Sequence, residues 1–454
     1  MTTDHAGSRS ISAAIADFAL MPGRGPLGRA LPDSARHILQ LSLLDWCAVA
    51  IAGQDEPVSG IVRGLVAEEG GRAEASVIGL REKLPARAAA LANGATSHAL
   101  DYDDTHFAHI GHPSVAILPA ALAMAEKTGA DGGDFLDAAL IGVEASCRIG
   151  TWLGRAHYQH GFHQTATAGS FGAAVAAGRL LRLDPGQMRQ ALGIAATRAS
   201  GLKSQFGTMG KPFHAGMAAA NGVEAALLAK AGFISRPDGL ECEQGFAQTH
   251  AGEMGDPAGV LEGLGSAFWF ETVQHKFHAC CHGTHAALEA LNEVRISHKL
   301  TADDIEEAVV TVHPRWLKVC HIERPMTGLE AKFSYRLTAA MALAGRDTSA
   351  LATFTDALCA EPVLVALRDR VRVETNPALR DTEATILLRL RSGKAIEAHH
   401  DLEQPQVASV REGKVRRKAN GLLGAARSEA LWAAIRDIDR TPLSILLECA
   451  NPAR

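Results

Sequence analysis

Apolar residues recur at helical spacing through the first 268 residues of the chain. Pro32, Asp33 and Ser34 form a start signal for a helix that ends near Gly53. Its apolar face consists of Ile38, Leu41, Leu44, Trp46 and Val49. The same spacing predicts helices over residues 58–70, 86–100, 113–128, 133–153, 165–182, 185–200 and 215–231. Most of these segments are rich in Ala and Gly, which let helices approach closely, so the pattern predicts a large all-α domain.

The pattern changes after residue 268. Residues 308–313 and 371–375 are rich in β-branched side chains, and residues 383–391 and 395–399 form a hairpin pattern around Gly393. A helix is predicted over residues 330–344, and helical spacing returns at 410–423 and 428–438. The predicted fold class is therefore mostly α. A large helical domain comprises residues 1–268 and 405–454, and a smaller α+β domain over 269–404 is inserted before the C-terminal helical tail.

Composition and charge exclude several classes of protein. The 454 residues are 47% hydrophobic and 21% charged, with a net charge of −5 and no basic stretch that would suit nucleic acid or anionic lipid. The polar first ten residues do not resemble a signal peptide, and no uncharged apolar run has the length of a membrane span. The eight cysteines form no CxxC pair or disulfide framework. We therefore expect a cytoplasmic protein that binds neither nucleic acid nor membranes.

The densest group of ionisable residues lies in residues 88–125, between two predicted helices. It contains Asp101, Asp103, Asp104, Thr105, His98, His106, His109 and His112, the last followed by Pro113. Neighbouring carboxylates shift one another's pKa and imidazoles titrate near neutrality, so the cluster is typical of acid/base catalysis. A helix cap would need one carboxylate only, so capping does not explain three aspartates beside four histidines. Asp and His are also metal ligands, and spacing alone leaves that alternative open, although HExxH and zinc-finger spacings are absent.

Three further segments carry candidate residues. His163 precedes a predicted helix, whose N-terminus favours anions. Lys211 lies in a Gly-rich turn before another predicted helix, where its charge opposes the helix dipole unless an anion is bound; His214 follows. Residues 275–285 combine histidines with Cys280 and Cys281 near the predicted domain boundary, where ligand sites are common. Taken singly, the first two segments are also explained by ordinary turns and caps.

Together these segments resemble the MmgE/PrpD family, which includes 2-methylcitrate dehydratase, cis-aconitate decarboxylase and iminodisuccinate epimerase. The resemblance covers nearly the whole chain. Its carriers are ALANG with HALDYDDTH and HPS (residues 90–114), GFHQTAT (161–167), KPFHAGMAAANG (211–222), KFHACCHGTH (276–285) and EAKFS (330–334). The resemblance implies a large helical domain, a smaller α+β domain and a homodimer.

The resemblance also implies an enzyme without metal or organic cofactor that acts on a small di- or tricarboxylate. It places catalytic roles on Asp101, His112, His163 and Lys211, with Lys211 holding a carboxylate, His112 or His163 moving the proton and Asp101 orienting an imidazole. We expect substrate contacts from Thr105, His214, Cys280, His282 and His321, of which Cys280 and His321 depart from the family pattern. A hydro-lyase for a 2-methylcitrate-like acid is expected first. An epimerase of a substituted succinate and a decarboxylase of a cis-aconitate-like acid are the alternatives, and a helical scaffold without chemistry is disfavoured.

Overall fold

The computed structural model describes residues 10–22 and 31–450, so most of the polar N-terminal segment, residues 1–9, lies outside it. The chain forms two compact units, one of residues 1–275 and 423–454, the other of residues 276–422. The sequence predicts these two divisions after residues 268 and 404, whereas the structure has them after residues 275 and 422. Helices account for 58% of the chain and the described strands form one small sheet, which confirms the mostly α fold class.

The larger unit consists of packed helices. They are α1 (Ile11–Ala19), α2 (Asp33–Ala52), α3 (Pro57–Glu69), α4 (Ala86–Ser97), α5 (Ser114–Thr128), α6 (Gly132–Gln159), α7 (Gln164–Leu180), α8 (Pro185–Arg198), α9 (Gly210–Lys230), α10 (Phe246–His250), α11 (Pro257–Leu261), α18 (Ala425–Arg436) and α19 (Leu443–Ala450). Asp184 caps α8 through the backbone N–H of Gln187, with Pro185 at the first helical position. The C-terminal α18 packs against α2, as the sequence pattern suggested.

The small residues allow close helix crossings. A Cβ added to Gly94 of α4 would lie 2.7 Å from the Cα of Gly216 in α9, closer than side chains tolerate. The helices α4 and α9 therefore cross at a pair of glycines. This crossing brings the last turn of α4 near the first turn of α9, which matters because both ends carry predicted site residues.

Within residues 10–22 and 31–450, one helix, α2, has the length and mean hydropathy of a membrane span. However, 83% of its most apolar window is buried by the rest of the fold, which is typical of a core helix. Its buried residues include Trp46 and the leucines at positions 39, 41, 43 and 44. It begins at Asp33 and ends before Gly53, at the predicted positions.

The smaller unit is built on a four-stranded sheet of β1 (Ile305–Val312), β2 (Val371–Thr375), β3 (Glu383–Leu390) and β4 (Ala395–Asp401), in the order β2-β1-β3-β4. The pair β1 and β2 is parallel, whereas β1 with β3 and β3 with β4 are antiparallel. The helices of this unit are α12 (His285–Ser297), α13 (Gly328–Ala331), α14 (Tyr335–Leu343), α15 (Asp356–Cys359), α16 (Pro362–Arg368) and α17 (Ala408–Leu423).

Two helix predictions differ from the structure. The helix predicted over 330–344 is interrupted, because α13 ends at Ala331 and Ser334 caps the separate α14 through the backbone N–H of Leu337. The helix predicted from residue 215 begins at Gly210, so Lys211 and His214 lie within it. Pro212 falls at its third position, where proline is tolerated because first-turn N–H groups have no intrahelical partner.

Candidate active site

The cluster of residues 98–112 folds around the buried carboxylate of Asp103. One oxygen, Oδ1, lies 2.8 Å from Nδ1 of His98, and the other, Oδ2, lies 2.7 Å from Nδ1 of His112. Burial opposes the charge on Asp103, but the two imidazoles outweigh it and hold the pKa of this carboxyl well below its usual range. Each oxygen of the Asp103 carboxylate thus contacts one imidazole nitrogen.

A tight turn produces this arrangement. His98 is the C-cap of α4, and Asp101 adopts φ of +49°, a left-handed conformation that Asp tolerates better than most residues. The backbone N–H of Asp101 donates to the carbonyl of His98 at 3.1 Å. The chain therefore turns back within a few residues of the end of α4, which places the Asp103 carboxylate against the His98 ring.

Asp101 lies on the more open side of His112. Its Oδ1 is 2.7 Å from Nζ of Lys211 and 3.6 Å from Nε2 of His112. The Asp101 side chain is 43% exposed, whereas that of Lys211 is 16% exposed. Beside Lys211 at the start of α9 the structure thus places the Asp101 carboxylate, and the substrate carboxylate expected there stays a prediction. The short contact that orients His112 comes from Asp103 and not from Asp101.

The backbone of His112 is also fixed. Its N–H donates to Oγ1 of Thr165 at 3.0 Å, and Thr165 belongs to the first turn of α7. The backbone of Thr105 forms two hydrogen bonds with Gln274, at 2.8 and 2.7 Å, which tie the cluster to the end of the larger unit. Thr105 therefore has a backbone role in this unit, beside the substrate contact that we expected of its side chain.

His163 and His214 form a second group beside the first. Their Nδ1 atoms are 3.1 Å apart, and the ring of His163 stacks near that of His98 at 6.0 Å between centroids. Burial, together with the neighbouring His98 and Lys211, lowers the pKa of His163 well below its usual range and that of His214 to about 4. Both imidazoles are consequently neutral near pH 7.

Two of the four histidines in the sequence cluster have surroundings that suit packing. His106 donates from Nε2 to the carbonyl of Trp269 at 2.9 Å and accepts at Nδ1 from the backbone N–H of His109 at 3.1 Å. Burial lowers the pKa of His106 to about 4. The ring of His109 is fully buried, and burial lowers its pKa well below the usual range. We assign both to the packing beneath the site.

A second buried carboxyl, that of Asp104, follows Asp103 directly in the chain. The hydroxyl of Ser114, the first residue of α5, donates to its Oδ2 at 2.5 Å. Burial, with a contribution from Asp45, raises the pKa of Asp104 to about 7, although the Ser114 hydrogen bond opposes the shift. Asp104 thus connects the cluster to the start of α5.

The remaining predicted site residues belong to the smaller unit. Burial raises the pKa of the Cys280 thiol to about 12, and its Sγ lies 3.1 Å from Oγ1 of Thr284. Cys280 is thus a neutral thiol, without the thiolate character of a nucleophile. The ring of His282 is buried against that of His285, with centroids 4.6 Å apart. His321 is half-exposed, 3.5 Å from Glu323.

The cluster has the composition of a cation site as well. Ligand atoms of His98, Asp101, Asp103 and His112 lie within 4.8 Å of one another and could hold a divalent ion. In the structure Asp103 faces two imidazole nitrogens and Asp101 faces the Lys211 ammonium. Both carboxylates therefore face nitrogen groups of the protein, and the expectation of metal-free chemistry stays a prediction.

Sequence reasoning did not assign roles to Asp103, His98 and Thr165. Asp103 and His98 stood inside the recognised cluster, but one of three aspartates cannot be chosen by spacing when the turn geometry is unknown. Thr165 stood beside His163 in the GFHQTAT segment. The signal for all three was proximity in sequence to a predicted site residue.

Comparison with known proteins identifies both parts of the chain with one family. Residues 28–256 match the model of the MmgE/PrpD N-terminal domain, and residues 278–440 match that of the MmgE/PrpD C-terminal domain. A cis-aconitate decarboxylase of Homo sapiens is 28% identical over 398 residues, which cover 82% of this chain and 81% of that protein.

Two fungal relatives align over shorter regions. The cis-aconitate decarboxylase of Aspergillus terreus is 36% identical over 232 residues, 48% of this chain and 47% of that protein. The cis-aconitate decarboxylase-like protein oryM of Aspergillus oryzae is 32% identical over 276 residues, 58% of this chain and 56% of that protein. The chain thus spans about half the length of these two relatives.

Proposed function

The chain belongs to the MmgE/PrpD family, and we propose that it is a lyase that transfers a proton at a carbon next to a carboxylate of a small polycarboxylic acid. The observation that carries this proposal is the contact between Nδ1 of His112 and Oδ2 of Asp103 at 2.7 Å, beside the Lys211 ammonium. A carboxylate, an imidazole and a cation that lie side by side in space are the groups needed to take a proton from an anionic substrate.

His112 is the proposed base. Because its Nδ1 faces the Asp103 carboxylate at 2.7 Å, the negative charge favours the proton on that nitrogen and leaves the lone pair on Nε2. Nε2 is also the atom nearer to the partly exposed Asp101, at 3.6 Å. Asp103 keeps the ring oriented and stabilises the imidazolium that forms after proton transfer, and His98 holds Asp103 from the other side.

Lys211 and Asp101 are the proposed carboxylate-binding pair. A substrate carboxylate can share the Lys211 ammonium or replace Asp101 on it, and a charge-assisted contact of this kind is about twice as strong as a neutral one. Asp101 keeps Lys211 in place without substrate. Because Asp101 is 43% exposed, its carboxylate can move aside at little cost in desolvation.

The same groups support different reactions. If His112 removes a proton and the neighbouring carbon carries a hydroxyl group, loss of water gives an alkene, as expected from the sequence for a 2-methylcitrate-like acid. In a decarboxylation no proton is removed first: the C–C bond to the carboxylate breaks, carbon dioxide leaves, and the electron pair left on carbon takes a proton from an acid, a role for which His112 must begin as the imidazolium. The decarboxylase names of the relatives favour cis-aconitate as the first acid to test. Return of the proton to the opposite face would give an epimerase.

One experiment separates these reactions. The protein is incubated in deuterated water with a panel of citrate-like, aconitate-like and succinate-like acids, and the products are followed by proton NMR. A new vinyl proton identifies a lyase, whereas exchange of a C–H proton without net change identifies an epimerase. Asp103→Asn is the matched control, because the amide retains the shape but not the charge. If no acid in the panel reacts or exchanges, the proposal is wrong.

We also propose that the protein is a homodimer. The proposal rests on the family and on the small-residue helices of the larger unit, which pack closely without large side chains. Static light scattering at micromolar concentration should give about twice the chain mass of 47.8 kDa. A mass equal to that of one chain would contradict it.

A further inference from the structure

His163 and His214 are held in direct contact by two different helices. His163 is the N-cap of α7, and its backbone N–H donates to the carbonyl of Gly201 at 3.0 Å. His214 is the fifth residue of α9. The two rings meet at Nδ1 with 3.1 Å between the nitrogens, and Phe206 closes the other side of His163 at 4.9 Å between ring centroids. The side chains are therefore fixed relative to each other.

Two neutral imidazoles in this position must adopt complementary tautomers. A hydrogen bond between the two Nδ1 atoms requires one N–H and one lone pair, since two lone pairs or two hydrogens would repel. Each neutral ring carries one hydrogen. The ring that accepts at Nδ1 therefore carries its hydrogen on Nε2, and the ring that donates leaves Nε2 as a base.

The helix ends determine which ring donates. His163 flanks the N-terminus of α7, where the unsatisfied backbone N–H groups carry partial positive charge. That charge favours a lone pair on the N-cap side chain and disfavours a hydrogen there. His214 lies one turn inside α9, farther from such an end. The helix-end charge thus favours His214 as the donor and His163 as the acceptor.

We propose that His214 is a positioning residue that holds His163 in the tautomer with hydrogen on Nε2. His163 then acts as a neutral hydrogen-bond donor to a negatively charged oxygen of the substrate, and the proton transfer falls to His112 alone. The role toward substrate rests on the proposed function, whereas the tautomer is a property of the resting protein. Of the two bases that the sequence left open, this proposal chooses His112.

The tautomer is tested without substrate. Protein labelled with nitrogen-15 in histidine is studied by NMR, in which protonated and unprotonated ring nitrogens have well separated shifts; loss of signals in His163→Gln and His214→Asn assigns the two rings. We expect hydrogen on Nε2 of His163 and on Nδ1 of His214. Hydrogen on Nδ1 of His163, or an imidazolium at either position at pH 7, would overturn the proposal whether or not the protein proves to be a lyase.

Two pairs of variants test the roles. In His214→Asn the side-chain N–H lies near the position that Nδ1 of His214 occupies, so this variant retains a donor toward His163. In His214→Asp only an acceptor is present at that position. We expect His214→Asp to move the His163 hydrogen to Nδ1 and to lower kcat about 100-fold, and His214→Asn to restore most of that loss. Equal loss in both variants, with an unchanged tautomer, would mean that His214 serves packing only.

The second pair concerns His163 itself. The Gln amide reaches the position of Nε2, so His163→Gln retains a donor toward the substrate and His163→Asn does not. His163→Gln should keep at least ten times the kcat of His163→Asn, because loss of one donor to developing charge costs about 100-fold. If both variants lose all activity although their melting temperatures show that the fold around His112 is intact, His163 is a base and the proposal fails.

Discussion

Replacing Lys211 with Ala should separate stability from activity. In the structure Lys211 makes one ion pair, with Asp101 at 2.7 Å, and lies 5.5 Å from the Phe206 ring centroid. Partly exposed pairs contribute about 0.2 to 1 kcal/mol, and an exposed cation–π contact about 0.5 to 1 kcal/mol. Against this, removing a positive charge from the first turn of α9 relieves about 0.3 to 1 kcal/mol of repulsion by the helix dipole.

These contributions partly cancel, so the free energy of unfolding should fall by about 0.7 kcal/mol at the middle of these ranges and by about 1.7 kcal/mol at most. For a protein of this size that corresponds to a shift in melting temperature of about 3 °C or less. The loss of a charged contact to a substrate carboxylate is larger, about 2 to 5 kcal/mol, which lowers kcat/KM by about 30-fold to several thousand-fold.

The assay pairs thermal unfolding with kcat/KM on the acid that the NMR panel identifies. Lys203→Ala is the matched control, because Lys203 likewise lies over an aromatic ring, 3.7 Å from the Tyr158 ring centroid, and its charge is held by a protein oxygen, the Tyr158 carbonyl at 3.1 Å. The control should keep its kcat/KM. A fall in melting temperature of 8 °C or more would show that Lys211 is structural, and full activity would refute the proposed carboxylate site.

Three further predictions follow from the same cluster. Asp103→Asn should lower kcat about 100-fold or more, because His112 loses the charge that orients it and stabilises its imidazolium; an unchanged kcat would contradict this. Turnover should survive exhaustive dialysis against EDTA, and loss with recovery on one divalent ion would show instead that the group of His98, Asp101, Asp103 and His112 holds a metal. The folded pKa of Asp104, about 7, lies above its ordinary 3.8, so this residue should make the protein less stable as pH rises between about 4 and 7. Asp104→Asn should therefore gain about 2 to 3 kcal/mol relative to wild type between pH 5 and pH 8, measured by urea unfolding; parallel pH profiles would contradict the assignment.

The sequence was sufficient where the information is local. Helical periodicity, small residues and cap signals placed α2 and α8 correctly. The β-branched segments placed β1 and β2, and the hairpin pattern around Gly393 placed β3 and β4. The group of ionisable residues between 98 and 112 was also visible, because these residues follow one another along the chain. For such features, neighbours in sequence remain neighbours in space.

Local signals misplaced one helix start. The Gly and Pro residues around Lys211 were read as a turn, although proline suits the first turn of a helix as well as a loop. The structure places Gly210 at the start of α9, which puts Lys211 and His214 on a rigid element. A sequence pattern cannot distinguish the two cases, because the cost of proline depends on whether its missing N–H would have had a partner.

Only the tertiary structure decided which groups meet. The choice of Asp103 over Asp101 as the partner of His112 depends on the left-handed turn at Asp101, a single backbone angle that three neighbouring aspartates do not reveal. The approach of Lys211 to the cluster depends on the crossing of α4 and α9 at Gly94 and Gly216. Such contacts join residues far apart in sequence, and they are fixed by the packing of whole helices rather than by the preferences of the residues that make them.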